Sequence, residues 1–199
     1  MAKLKKQHMT IHWKAIVQDD SSIPATEATL KEKATLVGRI GLMMLSVGTG
    51  AWRVRNSMNK VARCLGITCT ADIGLLAISY TCIEGTDTYT QSISNPTTGV
   101  NTHKLMQLEL FMKEFPDKVS TYSVKHIHEV LDEIQKLPAN YKAWNLGLAS
   151  ALACGAFTFL LGGGPVEMCC AFLGAGVGNF VRKKMLGHSI SLLANVAVS

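Results

Sequence analysis

The chain has 199 residues and a formal net charge of +6, yet only 17% of its residues are charged. That length suits one ordinary domain, or a small domain with an appendage, and the charged fraction lies below the roughly one quarter that is typical of soluble domains. The cations are not interleaved with aromatic residues as a base-stacking surface requires, so nucleic-acid binding is not expected.

The cysteine and histidine residues favour neither a disulfide scaffold nor a metal site. The six cysteines include no CxxC pair and are too sparse for a disulfide-rich fold, which favours a reduced, intracellular setting. His126 and His128 lie two positions apart in a predicted helix, where they face different ways, and are interpreted as a surface pair. No serine or cysteine lies in a nucleophile motif. The sequence therefore predicts no metal, no cofactor and no enzymatic activity.

The charged residues divide the chain into two parts. Residues 1–142 hold 17 of the 20 cations and 13 of the 14 acids, whereas Glu167 is the only formal charge in the next 39 residues. We expect a flexible tail over residues 1–27, a cytoplasmic α+β domain over residues 28–140 and transmembrane helices over residues 141–199.

The spacing of apolar residues changes within the predicted α+β domain. Apolar spacings of three and four predict helices over residues 28–47 and 52–65. β-branched and aromatic residues then predict three strands, in the segments ITCTADI, LLAISYTCIE and DTYTQSI. Two more helices are predicted on either side of Pro116, over residues 102–114 and about 120–137. The predicted order is ααβββαα, with a small antiparallel sheet.

Two apolar stretches near the end of the chain are interpreted as a membrane hairpin. Residues 143–162 carry no charge, and about 20 apolar residues are enough to span a bilayer. The segment GGGP interrupts this helix, residues 165–181 form the second span, and the cations of RKK end it. The uncharged residues 188–199 are expected to begin a partial third span. Cations at both ends of the hairpin predict that these ends, and the α+β domain, are cytoplasmic.

Nucleotide binding is a poorer interpretation of the glycines in this region. GGGPVEMC lacks the Lys and Ser/Thr that follow the glycines of a phosphate-binding loop, and GAGVGNF follows no predicted strand. A buried helical pair of a soluble protein is the alternative to the membrane hairpin.

Three segments carry a resemblance to a known family. The first, GRIGLMMLSVGTGAWRVRNSMNKVARCLGI, includes a motif filled here by Gly48, Gly50, Trp52, Arg53 and Val54. The second, YTQSISNPTTGVNTHKL, includes a further motif at Gly99, Val100 and Asn101. The third is a span that begins with tryptophan and is followed by GGG. From about Leu36 to Val198 the chain resembles the N-terminal half of the threonine/serine exporter family, which includes the smaller subunits of two-component succinate exporters.

This resemblance implies a cytoplasmic α+β domain followed by several spanning helices in the plasma membrane. It implies export of threonine and serine, or of dicarboxylates, driven by a proton gradient. The implied partners are a second membrane module, fused or separate, in a hetero- or homo-oligomer, together with the lipid bilayer and a small-molecule substrate. The alternative function is a membrane-tethered ligand-binding or regulatory module without transport activity.

A few polar residues are candidates for the transport path. Arg53 and Asn101 match family motifs and are expected at a cytoplasmic substrate entrance, although Arg53 could instead pair with an acid and Asn101 could cap a helix. Glu167 is the candidate for proton coupling, and its alternative is a solvated position beside the turn. Polar residues within apolar segments indicate a path through the membrane. Three asparagines meet that description: Asn145, Asn179 and Asn195.

Overall fold

The computed structural model describes Trp13 and residues 23–75, 77–94, 99–138 and 141–187. Within these ranges the predicted order ααβββαα is present and is followed by two further helices. The chain divides into two units, Met1–Pro138 and Ala139–Ser199. The predicted third span, with Asn195, lies outside the described residues.

Two helices begin the first unit. Helix α1 (Leu30–Ser46) starts with a capping box, in which Thr29 and Glu32 satisfy each other's backbone N–H groups. It ends at Ser46, and Gly48 follows with a φ of +84°, a conformation that favours glycine. Helix α2 (Ala51–Cys64) buries one apolar face and leaves the opposite face in solvent. The residues of the buried face are Val54, Met58, Val61 and Ala62.

A three-stranded antiparallel sheet lies under these helices. Strands β1 (Thr68–Ile73), β2 (Ala77–Glu84) and β3 (Asp87–Ser94) pair in sequence order. Alternate residues point to opposite faces of a strand, so one face carries the core residues and the other is exposed. The buried residues of the core face are Cys69, Ile78, Tyr80, Cys82 and Ile93.

Helix α1 approaches the sheet closely at Gly38. A Cβ atom at this position would lie 2.2 Å from the Tyr80 hydroxyl oxygen, so no larger residue fits without displacing the tyrosine. The Tyr80 hydroxyl donates a hydrogen bond to Gln91 Oε1 at 2.8 Å, which satisfies two polar groups beneath the helix.

The two helices after the sheet differ from the predicted bounds. Helix α3 (Thr102–Lys118) continues through Pro116 instead of ending before it, and α4 (Val124–Lys136) begins later than predicted. Proline has no backbone N–H, so the carbonyl of Met112 loses its usual partner four residues along. Lys60 of α2 replaces that partner, because its Nζ donates to Met112 O at 2.7 Å. A tertiary contact therefore supports the helix at its proline.

The first unit also includes part of the predicted flexible tail. Ala25 is fully buried, and its backbone N–H donates to Tyr122 O at 2.9 Å. Trp13 packs against the hydrophobic core. The folded part therefore begins before residue 28, because apolar side chains of the tail find sites on the core.

Two antiparallel helices form the second unit. Helix α5 (Ala143–Leu160) is followed by a turn containing Gly162, and α6 (Pro165–Gly187) extends beyond the predicted end at residue 181. The buried residues of α5 are small and recur every four positions: Gly147, Ala151 and Gly155. A Cβ atom at Gly147 would lie 3.1 Å from Gly176 O, so the two backbones approach closely at this stripe.

One described helix is long and apolar enough to cross a membrane. It is Ala143–Leu160, with a mean hydropathy of 1.4 and 17% of its residues buried. The apolar sequence of α6 contains charged residues, among them Glu167 and Arg182, and the polar Asn179. Membrane insertion of the whole hairpin therefore stays a prediction.

Candidate functional site

A buried charged cluster joins α1 to α4 and was not predicted from the sequence. Arg39 is 1% exposed. Its guanidinium donates to the backbone oxygen and to Nδ1 of His128, each at 2.9 Å, and to Gln135 Oε1 at 3.3 Å. It also donates to the carboxylate of Asp132. The Trp13 ring completes the cluster, with its centroid 5.8 Å from the guanidinium carbon.

This geometry determines the protonation state of His128. Arginine has only donors, so Nδ1 of His128 must accept and the ring is neutral. The ring stacks on Trp13 with centroids 6.4 Å apart. His128 is 1% exposed, so the interpretation of His126 and His128 as a surface pair is wrong for His128. Its helix turns it toward Arg39, whereas His126 keeps a half-exposed side chain.

The charge on Arg39 is maintained by Asp132. Burial lowers the pKa of the Arg39 guanidinium, and the hydrogen bond and negative charge of Asp132 raise it. Arginine stays protonated in proteins, so the pair is a buried ion pair. Such a pair constrains the two helices that carry it, because separating them would leave a charge in the core.

The sequence did contain a signal for this cluster. His128, Asp132 and Gln135 recur at spacings of four and three, which places them on one face of a helix. Arg39 lies between Gly38 and Ile40 in an otherwise apolar stretch. Together, a charge in an apolar stretch and a polar helix face of complementary chemistry would have predicted the pair.

Arg53 lies near the start of α2, and Asn101 immediately precedes α3. Arg53 forms an ion pair with Glu109 at 3.2 Å and lies over the Trp52 ring. The side-chain oxygen of Asn101 accepts from Lys104 N at 3.1 Å and caps α3, while its backbone N–H donates to Val47 O. Both residues therefore have structural partners. Their contact with a substrate stays a prediction.

The candidates in the hairpin lie at its two ends. Asn145 is exposed near the start of α5, and Asn179 Nδ2 donates to the neighbouring Leu146 O at 3.3 Å, so these two asparagines share one end. Glu167 is exposed in the first turn of α6, at the opposite end. The three residues do not converge on one site within the hairpin.

Comparison with known proteins assigns the chain to a family. The model of the threonine/serine exporter family matches residues 35–199. The chain belongs to this family. The match includes Arg39, both helices of the hairpin and every predicted site residue. Searches of the curated proteins and of the solved structures gave no match.

Membership of the threonine/serine exporter family implies a membrane protein of a transporter family. It also gives a reason for the apolar side chains on the outer surface of the hairpin. Soluble monomers rarely expose such contiguous apolar surface, whereas lipid or neighbouring helices cover it in a transporter. Examples on both helices are Leu152, Phe157, Val166 and Leu173.

Proposed function

We propose that this chain supplies the cytoplasmic domain and the first two spanning helices of a secondary exporter for threonine and serine, or for small dicarboxylates. The observation that carries the proposal is the family match over residues 35–199. Two features of the helical hairpin support it: the residues through which the two helices touch are small, and the outer surface of the hairpin is apolar.

The dimensions and chemistry of the hairpin favour a position across the membrane. An 18-residue helix such as α5 is about 27 Å long, close to the hydrocarbon thickness of about 30 Å. Phe157 is 66% exposed and Leu173 is 62% exposed, which is costly in water and favourable in lipid. Lys142 and Arg182 lie at the same end of the hairpin, so the positive-inside rule puts that end in the cytoplasm.

A second membrane module is part of the proposal, because the described hairpin offers no polar path. The groove between its helices is lined by apolar groups that include Trp144, Leu148, Phe172 and Val177. An amino acid or a dicarboxylate needs polar partners throughout the bilayer, since unsatisfied polar groups cost several kcal/mol in lipid. Helices from the second module, fused or separate, would supply the remaining lining.

Each candidate residue in the described part of the chain has a proposed role in this arrangement. Arg53 and Asn101 line the cytoplasmic approach, and Asn145 and Asn179 line the cytoplasmic end of the path. Glu167 lies at the outer end, where a carboxylate is exposed to protons that enter down their gradient. Proton binding there would couple entry of the proton to export of the substrate.

Efflux from preloaded cells tests the proposal. Cells expressing the chain with its second module are loaded with a threonine-containing dipeptide or with labelled succinate, and release is followed with and without a protonophore. We expect faster release of one substrate class than from cells with an empty vector, and loss of the difference when the proton gradient is collapsed. Glu167→Gln should reduce release strongly, because glutamine cannot bind the coupling proton, while Glu129→Gln, at an exposed acid of the first unit, should not. Equal release with and without the complex, for both substrates, would exclude export.

A further inference from the structure

The exposed face of α2 is strongly cationic. Its fourteen residues include Arg53, Arg55, Lys60 and Arg63 and no acid, and all four cations are exposed. Trp52 lies at the start of the same helix with 68% of its surface exposed. The opposite face of α2 is buried, so the orientation of this cationic face is determined by the core of the first unit.

Two of the four cations on this face are bound by backbone carbonyls rather than by acids. Among the residues that the structure describes, Arg53 alone of the four forms an ion pair, with Glu109. Arg55 Nε donates to Ala71 O at 3.1 Å, and Lys60 Nζ donates to Met112 O at 2.7 Å. Backbone carbonyls position these cations but do not neutralise them, so the face keeps a positive potential toward solvent.

We propose that the cationic face of α2 binds the anionic headgroups of the bilayer that holds the hairpin. A helix with one apolar face, a basic polar face and an exposed tryptophan is typical of a helix that contacts an anionic membrane surface. Here the apolar face is used by the domain core, so the contact is electrostatic, with Trp52 at the level of the headgroups. The proposal rests on the proposed function for the presence of the bilayer.

The geometry favours a lipid surface over a nucleic acid. The described cations occupy one convex helix face, and Trp52 is the one aromatic residue of α2. Single-stranded nucleic acids instead need a groove with several stacking rings. Each basic residue near an anionic membrane strengthens partitioning by about fivefold. Because the domain is covalently attached to the hairpin, even a few such contacts would hold α2 at the surface.

Tryptophan quenching by brominated lipids tests the contact in the full chain. The chain is reconstituted in nanodiscs of phosphatidylcholine with or without about one third phosphatidylglycerol, an anionic lipid of the kind that attracts basic segments. A variant with Trp13→Phe and Trp144→Phe reports on Trp52, and one with Trp13→Phe and Trp52→Phe reports on Trp144. We expect Trp144 to be quenched in both lipids, and Trp52 only with phosphatidylglycerol. Added salt at 0.5 M should reverse the quenching of Trp52, since it shortens the range of electrostatic attraction.

Charge variants identify the residues responsible. Arg55→Gln with Arg63→Gln should weaken the attraction of α2 to phosphatidylglycerol, so the quenching of Trp52 should fall toward its value in phosphatidylcholine alone. The matched control, Lys31→Gln with Lys118→Gln, removes the same charge from an exposed and a half-exposed position elsewhere in the first unit and should leave the quenching unchanged. A chain with only Trp144→Phe keeps Trp13 in place and checks that the lipid-dependent signal does not arise from misfolding.

The outcomes separate this inference from the proposed function. Failure of lipid to quench Trp144 would reject the membrane hairpin. Quenching of Trp144 with no lipid-dependent change at Trp52 would reject the headgroup contact alone. A shift of Trp52 emission by a single-stranded oligonucleotide, with no response to phosphatidylglycerol, would assign the face to nucleic acid and reject the lipid contact.

Discussion

Arg39 and Arg53 both pair with a carboxylate, but their surroundings differ. Arg39 is buried against α4, whereas the side chains of Arg53 and Glu109 are about half exposed. Water screens an exposed pair, which is worth about 0–1 kcal/mol, while breaking a buried pair costs about 3–5 kcal/mol. Of these two arginines, Arg39 therefore supports the fold, and Arg53 is free to serve function.

Asp132→Ala tests the support given by Arg39. The substitution leaves the guanidinium in the core without its counter-charge, so the free energy of unfolding should fall by about 3–5 kcal/mol. Chemical denaturation of the full chain in detergent, followed by circular dichroism, measures this change. Glu133→Ala, at the next position and exposed, should change it by less than about 0.5 kcal/mol. An equal effect of the two substitutions would contradict the importance of the ion pair.

At the scale of elements, α3 depends on a contact from another helix. Pro116 removes the N–H that would bond to the carbonyl of Met112, and the Lys60 ammonium occupies that position. The proline alone favours a break in the helix, which is why the predicted boundary was wrong. The observed helix reaches Lys118 because α2 packs beside it.

A double-mutant cycle tests this compensation. Lys60→Met leaves the Met112 carbonyl without its donor, so the free energy of unfolding should fall by about 1–3 kcal/mol. With Pro116→Ala the backbone N–H is restored, and Lys60→Met should then cost at least about 1 kcal/mol less. Thermal unfolding of the four proteins in detergent gives the coupling. Arg63→Met, on the exposed face of the same helix, serves as the control. Strictly additive effects would show that the lysine and the proline act independently.

In the hairpin, small residues lie where the two helices pack together, and large apolar residues lie on the outside. Gly147 and Gly176 allow the backbones of α5 and α6 to approach, and larger apolar residues point outward. This arrangement is favoured where lipid or other helices cover the outside, because association inside a bilayer depends on close packing rather than on escape from water.

For the whole molecule, the proposed topology predicts which side of the membrane each unit faces. In a background without native cysteines, Leu161→Cys should react with an impermeant maleimide in intact cells, since this residue is 86% exposed in the turn of the hairpin. Leu75→Cys, 83% exposed in the first unit, should react only after the cells are permeabilised. The reverse pattern would place the first unit outside the cell. Reaction of both in intact cells would exclude a sealed, spanning hairpin.

The amino-acid sequence by itself determined the order of the elements and the division of the chain. Apolar residues at spacings of three and four predicted α2, whereas β-branched and aromatic residues predicted the strands β1, β2 and β3. Both patterns reflect the geometry of a single element. The near-absence of charge over residues 143–181, where Glu167 is the only charged residue, located the two helices of the hairpin. The motifs around Trp52 and Asn101 indicated the family to which the chain belongs.

Only the tertiary structure decided the contacts between distant residues. Arg39 and Asp132 are 93 positions apart, and Lys60 and Met112 are 52 positions apart. The spacing of residue types along the sequence carries information only about neighbours within a few positions. It could therefore not show that His128 is buried or that α3 continues through Pro116. These features depend on which helices pack together, and that choice is made by burial and charge pairing summed over the whole first unit.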